Sequence, residues 1–176
     1  MVCLMTKPTL TIRDETPADI DAIFVLTEAA FAPMPFSEGT EPHIINALRA
    51  DGDLTLSLVA EIDGEIVGQI TFSPVAMVGV TDWCGLGPVS VAPHWQKGKK
   101  GVSIGSALIE AGLSRLKEMN ANGCVLVGNP DYYSRFGFRS GGITYGEVPS
   151  AYVQWLSIDG DTPKGEVRYA RGFGAS

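Results

Sequence analysis

Residues 89–116, VSVAPHWQKGKKGVSIGSALIEAGLSRL, constrain the fold more than any other stretch of the chain. A β-branched run gives way to a loop of glycine and lysine, and the loop opens directly into a helix. The spacing predicts that helix from about Ser103 to Asn120, because Ile104, Leu108, Ala111, Leu116 and Met119 fall along one apolar stripe. Glycines let a backbone approach a ligand closely, and a helix start offers unpaired amide hydrogens at the positive end of its dipole. A strand feeding such a loop and helix is a candidate anion cradle.

The flanking sequence places this unit in an α/β domain. LTIRDET reads as a first strand, with Leu10 and Ile12 alternating against Thr11 and Arg13. Thr16 before Pro17 reads as a helix cap followed by proline at the first helical position, and apolar spacing carries that helix to about Phe31. A second helix is expected from about Pro42 to Ala50, ending at Asp51-Gly52. LSLVAEI and EIVGQITFSPV flank Asp63-Gly64, a pair favoured by two-residue hairpin turns. WCGLGPVSV and GCVLVGN read as further strands, PDYYSRF as a helical turn or two stopped at Gly137, and Phe138 as the start of another strand. YVQWLSI and GEVRYARGF are expected to close the chain as a hairpin around Gly160. No repeat or linker interrupts the pattern, so one domain is expected over residues 9–176 behind a short N-terminal extension, residues 1–8.

The 176 residues, 45% apolar and 19% charged, have the balance of a globular chain able to bury a core. No apolar run reaches the ~18 residues of a membrane helix, and no signal-peptide pattern stands at the N-terminus. Cys3, Cys84 and Cys124 have neither metal nor disulfide spacing, which fits a reducing, cytoplasmic setting without a membrane partner. A formal charge of -7 argues against a nucleic-acid partner. Lys97, Lys99 and Lys100 make a positive island in that acidic background, beside the helix start.

The loop carries neither the Walker pattern nor the dinucleotide fingerprint. Gly87-Pro88 adds a second clue. Proline lacks the amide hydrogen that a central strand uses, so a bulge splaying this strand from a neighbour is expected, the alternative being a simple strand start at Val89. Splaying leaves backbone groups in need of partners, which an extended, amide-bearing ligand supplies by adding like a strand. A pyrophosphate at one end and a peptide-like arm describe coenzyme A.

LVAEIDGEIVGQITFSPV, LGPVSVAP, IGSALIEAGLSRL and NPDYYSRFGF together resemble the GNAT superfamily of acetyl-CoA-dependent N-acetyltransferases, most of all its bacterial YhbS-like branch. The resemblance runs from Leu10 to Phe173. It implies a mixed, mostly antiparallel central sheet flanked by helices, with a splayed strand pair forming the acetyl-CoA cleft. It implies that the backbone of Val89, Ser90 and Val91 lines the pantetheine arm, and that Lys100, Gly101, Val102, Ser103, Ile104, Gly105 and Ser106 bind the pyrophosphate. Acetyl-CoA then serves as cosubstrate, no metal is expected, and a homodimer is common in the resembling family. One departure stands out. The family's loop, [Q/R]-x-x-G-x-[G/A], is shorter than the segment from Pro93 to Gly105. Anchoring on IGSALI puts Lys100 at the Gln or Arg position and Ser103 at the first glycine, whereas anchoring on Gln96 gives QKG followed by an insertion.

Acetyl transfer from a thioester to an amine needs a neutral amine, a donor for the oxyanion and a proton for the departing thiolate. A backbone amide near Val89 or Ser90 is the candidate oxyanion donor. DYYSRFGF is similar to the family's F-Y-x-x-x-G-F element, which puts Tyr133 at the position of its general acid and Tyr132 at a packing position. His43, Glu38, Glu41 and ordered water remain open as routes for the amine's proton, while His94 reads as a surface residue and Cys84 and Cys124 as core thiols. The acceptor is a small-molecule or peptide amine. A competing reading is a non-catalytic acyl-CoA-binding sensor or interaction module, and Tyr133 is the feature that separates the two.

Overall fold

The computed structural model describes residues 7–176, so Cys3 and most of the expected N-terminal extension lie outside the described residues. Strand β1 (Leu10–Asp14) ends at a capped turn, where Pro17 opens a short 3-10 segment leading into α1 (Ile20–Phe31). Thr16 donates its backbone N–H to Asp19 Oδ2 at 2.7 Å, and Arg13 reaches the same oxygen from the strand side at 2.7 Å. The Arg13 guanidinium, helped by Thr16, pulls the Asp19 carboxyl down to about 2. Between the ordinary carboxylate range and that value the native state binds fewer protons than the unfolded chain. The stability supplied by this cap is therefore complete above about pH 4 and lost as the pH falls towards 2. Asp19→Ala is expected to cost about 2 kcal/mol at neutral pH and to flatten the acid dependence of stability. Urea unfolding of both proteins across that range checks the pair.

Helix α2 (Glu41–Asp51) stops at Gly52, whose φ of 76° is left-handed. Strands β2 (Leu56–Ile62) and β3 (Glu65–Met77) form the expected hairpin, with Asp63 at φ 51° and Gly64 at 78°. There follow β4 (Val80–Val91), α3 (Ile104–Glu118), β5 (Gly123–Val127), α4 (Pro130–Tyr133), β6 (Arg139–Ser140), β7 (Ile143–Thr144), β8 (Val153–Ser157), β9 (Gly165–Glu166) and β10 (Arg168–Tyr169). Met119 falls one residue past α3 and is exposed, while Ile104, Leu108 and Leu116 of the expected stripe are buried.

The main sheet runs β1-β2-β3-β4-β5-β8-β6, with β10 added to the far end of β3. Every pairing in it is antiparallel except β4 with β5. Helices cover both faces, and alternation along the strands decides which side chain meets which helix. Phe72 of β3 points to the α3 face, where a Cβ added at Gly112 would lie 2.5 Å from its ring. Ser90 of β4 points to the opposite face, where its hydroxyl donates to Thr27 Oγ1 of α1 at 3.1 Å.

The closing hairpin around Gly160 does not form. β8 is hydrogen-bonded on one edge to β5 and on the other to β6, so no edge is left for residues 165–173. That segment instead pairs β9 with β7 in a separate parallel ribbon and β10 with β3. Among the described residues no helix is long and apolar enough to cross a membrane.

Candidate active site

The parallel pairing of β4 and β5 lasts only three residues, Trp83–Gly85 against Gly123–Val125. Beyond it β4 stays with β3 through an irregularity opposite Gly87-Pro88, and β5 stays with β8 as far as Val127. Pro88 cannot donate to a neighbour and Gly87 has a φ of 136°, so the expected splay occurs where the sequence placed it. The opened seam is a cavity of about 1470 Å³, lined from β4 by Leu86, Gly87, Pro88, Val89 and Val91 and from the end of β5 by Val127 and Gly128.

On the α3 face the cavity reaches the lysine loop and the start of α3. The length of that loop has a structural account. Residues 93–95 make a helical turn, Lys97 and Gly98 both take left-handed angles (φ 58° and 66°) as in a type I′ turn, and Lys99-Lys100 follow with type II angles. Gln96 Nε2 donates to the carbonyl of Val91 at 2.9 Å, tying the first turn back to β4. The buried Val102 side chain anchors the far end in the core. The added residues are two tight turns between those anchors.

Of the residues expected to hold the carrier, Val89, Val91, Ser103, Ile104 and Gly105 line the cavity. The others do not. Ser90 turns its hydroxyl to α1, Val102 is core, and Lys100 sits with Nζ 4.2 Å over the Trp95 ring. Gly101 closes the loop at a φ of 72°, and the Ser106 hydroxyl pairs with that of Ser103 at 3.1 Å. Trp95, Gln96, Lys97 and Gly98 line the cavity instead. The QKG triplet was the one sequence signal for them, as the second way of anchoring the loop.

Tyr133 is placed by local sequence. Asn129 Oδ1 accepts from the Asp131 N–H at 2.9 Å and Pro130 opens the helix, so α4 begins immediately after β5. Cys124, Leu126 and Gly128 alternate onto the α3 face, and a Cβ at Gly128 would lie 2.5 Å from the Tyr133 ring. Glycine there lets the phenol lie flat against the strand end. Burial pushes the Tyr133 hydroxyl up to about 12, with smaller contributions from Tyr132 and Cys124, so it is protonated at neutral pH. The residue lines the cavity. So does Tyr132, whose hydroxyl would meet a Cβ at Gly105 at 3.2 Å and thus stands against the start of α3.

The opposite, α1 face of the cavity is apolar. Phe31 comes from the end of α1, Met34 from the turn after it, Ile44 from α2, and Tyr145, Tyr169 and Phe173 from the C-terminal third. Nothing in the local sequence marks the last three. They meet because β10 lays Tyr169 over Gly85, where a Cβ would be 2.5 Å from its ring. Glu41 lines this end and accepts from Ser37 Oγ at 2.8 Å. Glu38 and His43 are exposed and do not line it, and His43 packs against Phe24 with ring centroids 5.2 Å apart. His94 is a surface residue beside Glu65. Cys84 and Cys124 face each other across the paired stretch, and burial pushes both thiols up, which leaves them in the inert protonated form. Among the described residues no three His, Cys, Asp or Glu side chains gather as a metal site.

Residues 11–141 match the family model described as an acetyltransferase (GNAT) domain. The chain belongs to the GNAT acetyltransferase family. This GNAT chain is 35% identical to the N-acetyltransferase YhbS of Escherichia coli K12 over 130 residues, covering 73% of the chain and 72% of YhbS. A GNAT acetyltransferase from Brucella melitensis, solved in complex with acetyl-CoA, is 46% identical and superposes with a TM-score of 0.81 over 94% of this chain and 98% of its own. E. coli YhbS solved with CoA superposes with a TM-score of 0.84 at 29% identity, over 96% and 93% of the two chains. The mostly antiparallel sheet with helices on both faces is thus the GNAT fold.

Proposed function

We propose that the protein moves the acetyl group of acetyl-CoA to a primary amine by direct attack in a ternary complex, through one N-acetyltransferase domain over residues 9–176. The observation that carries this reading is the Tyr133 phenol standing on a cavity that opens to both faces of the sheet. The Brucella relative bound to acetyl-CoA and YhbS bound to CoA support the choice of carrier.

On the α3 face the backbone of Val89 and the N–H of Val91, whose carbonyl is taken by Gln96, receive the amide-bearing arm, and the first amides of α3, with Lys97 near by, receive the pyrophosphate. The amine arrives from the α1 face after losing one proton to water. Its nitrogen attacks the thioester carbonyl carbon, and the β4 amide at Val89 donates to the oxyanion, since Ser90 is paired with Gln69 and turns its own amide to β3. Collapse breaks the C–S bond while the Tyr133 hydroxyl donates a hydrogen bond to the departing sulfur. The second amine proton ends on that sulfur, giving the N-acetyl amine and free CoA.

Purified protein supplied with acetyl-CoA and grouped primary amines is expected to release free thiol and to yield a product heavier by one acetyl group, read by mass spectrometry. Tight CoA binding without turnover of any amine would replace this reading with that of an acyl-CoA sensor.

A further inference from the structure

We propose that the acceptor is a monoamine carried on an aromatic body, an aryl-alkyl amine, and not a polyamine or an amino sugar; this rests on the acetyl-transfer reading. The α1-face end of the cavity is a preformed aromatic wall. Tyr145 and Tyr169 meet edge to face with centroids 4.9 Å apart, and Tyr169 and Phe173 are 4.7 Å apart at 52°. Aromatic rings favour contacts of this spacing, so a ring on the ligand gains by meeting such a wall. The wall is held from behind. Tyr169 rests on Gly85, and Gly172 brings the tail so close to α2 that a Cβ there would lie 3.0 Å from the Leu48 backbone nitrogen. At the mouth, Phe36 is 74% exposed, a large apolar surface left in water beside the cavity it lines.

Charge narrows the class further. Among the described residues lining this end, Glu41 is the one charged side chain, while Lys97, Asp131 and Arg135 stand at the α3 and α4 end. Each ammonium that leaves water needs a carboxylate of its own. A single carboxylate at the mouth therefore matches a single cation, and an oligocation would enter an apolar wall with charges unpaired. Glu41 draws in the ammonium, and the aromatic wall takes the organic body.

The test compares 2-phenylethylamine, ethylamine and spermidine on the intact protein in two separate measurements. Steady-state acetyl transfer gives KM, and calorimetry on protein saturated with CoA gives binding without chemistry. Both constants are expected to be at least about tenfold lower for 2-phenylethylamine than for the other two, the effect of burying a phenyl ring. Phe36→Ala, which changes a side chain largely in solvent, should shrink that preference about threefold. Glu41→Gln should raise the amine KM while leaving the acetyl-CoA KM unchanged. Ethylamine or spermidine bound as tightly as 2-phenylethylamine overturns the acceptor class. If transfer occurs without the aromatic preference, acetyl transfer stands and the class falls. If the preference appears in calorimetry with no turnover of any amine, the class stands and acetyl transfer falls.

Discussion

Tyr133→Phe is expected to lower kcat about a hundredfold while leaving the dissociation constant for CoA within about twofold of wild type. The ring is held by Gly128 and by its edge-to-face contact with Tyr132 at 4.9 Å, so phenylalanine keeps the packing and removes the hydroxyl alone. The size of the loss follows from the chemistry assigned to the hydroxyl. A thiol with a pKa of about 8.5 is a stronger acid than a phenol at about 12, so net proton transfer from Tyr133 to a free thiolate runs uphill by roughly 5 kcal/mol. In the proposed mechanism the phenol therefore works as a fixed hydrogen-bond donor to sulfur as the C–S bond lengthens, and the proton that stays on sulfur originates on the amine. Loss of one such donor typically costs two to three orders of magnitude. The same burial predicts the pH dependence. The rate should climb with pH as the amine loses its proton and should show no fall from phenol ionisation until the pH nears 12, rather than 10. Stopped-flow thiol release by both proteins across that range is the measurement, and an unchanged kcat in the variant would remove Tyr133 from the mechanism.

Gly68→Val is expected to lower stability by about 3 kcal/mol, a drop in Tm of roughly 10 °C, and to weaken CoA binding at least about tenfold. Gly68 lies on β3 where α3 crosses the sheet. A Cβ there would stand 2.7 Å from Ile104 Cγ2, 2.9 Å from Leu108 Cδ1 and 3.2 Å from the Ser90 carbonyl oxygen. Both side chains are fully buried, so relief requires the first turn of α3 to lift. That turn carries the amides assigned to the pyrophosphate, which is why one substitution under the helix should reduce stability and ligand affinity together. Thermal unfolding and a CoA titration on the same sample check it. A variant that loses stability but binds CoA as wild type does would separate the helix start from the ligand.

Much of the scaffold was legible because the signals are short-range. Asp63-Gly64 defined its hairpin through backbone angles that few residue pairs adopt readily. Thr16-Pro17 marked a helix start through local hydrogen bonding, and Gly87-Pro88 marked the place where β4 leaves β5 because proline has no N–H to share. Tyr133 came from the resemblance of DYYSRFGF to a family motif, and it lines the cavity. The lining of the cavity was only half legible. Val89, Val91, Ser103, Ile104 and Gly105 reach the cavity, but Gln96 to Gly98 replace Lys100 and Gly101 there because two successive tight turns fold the loop outward. Turns of that kind depend on left-handed angles at Lys97 and Lys100, which nothing in a lysine announces.

Local sequence alone determined the opened strand, the loop and helix that follow it and the phenol beside them, since each depends on hydrogen bonds or backbone angles among residues a few positions apart. The tertiary structure alone decided the acceptor end. Phe31, Tyr145, Tyr169 and Phe173 share one wall because β8 had no free edge, which sent the last segment of the chain across to β3, and burial of those rings is a contact between elements rather than a property of any one of them.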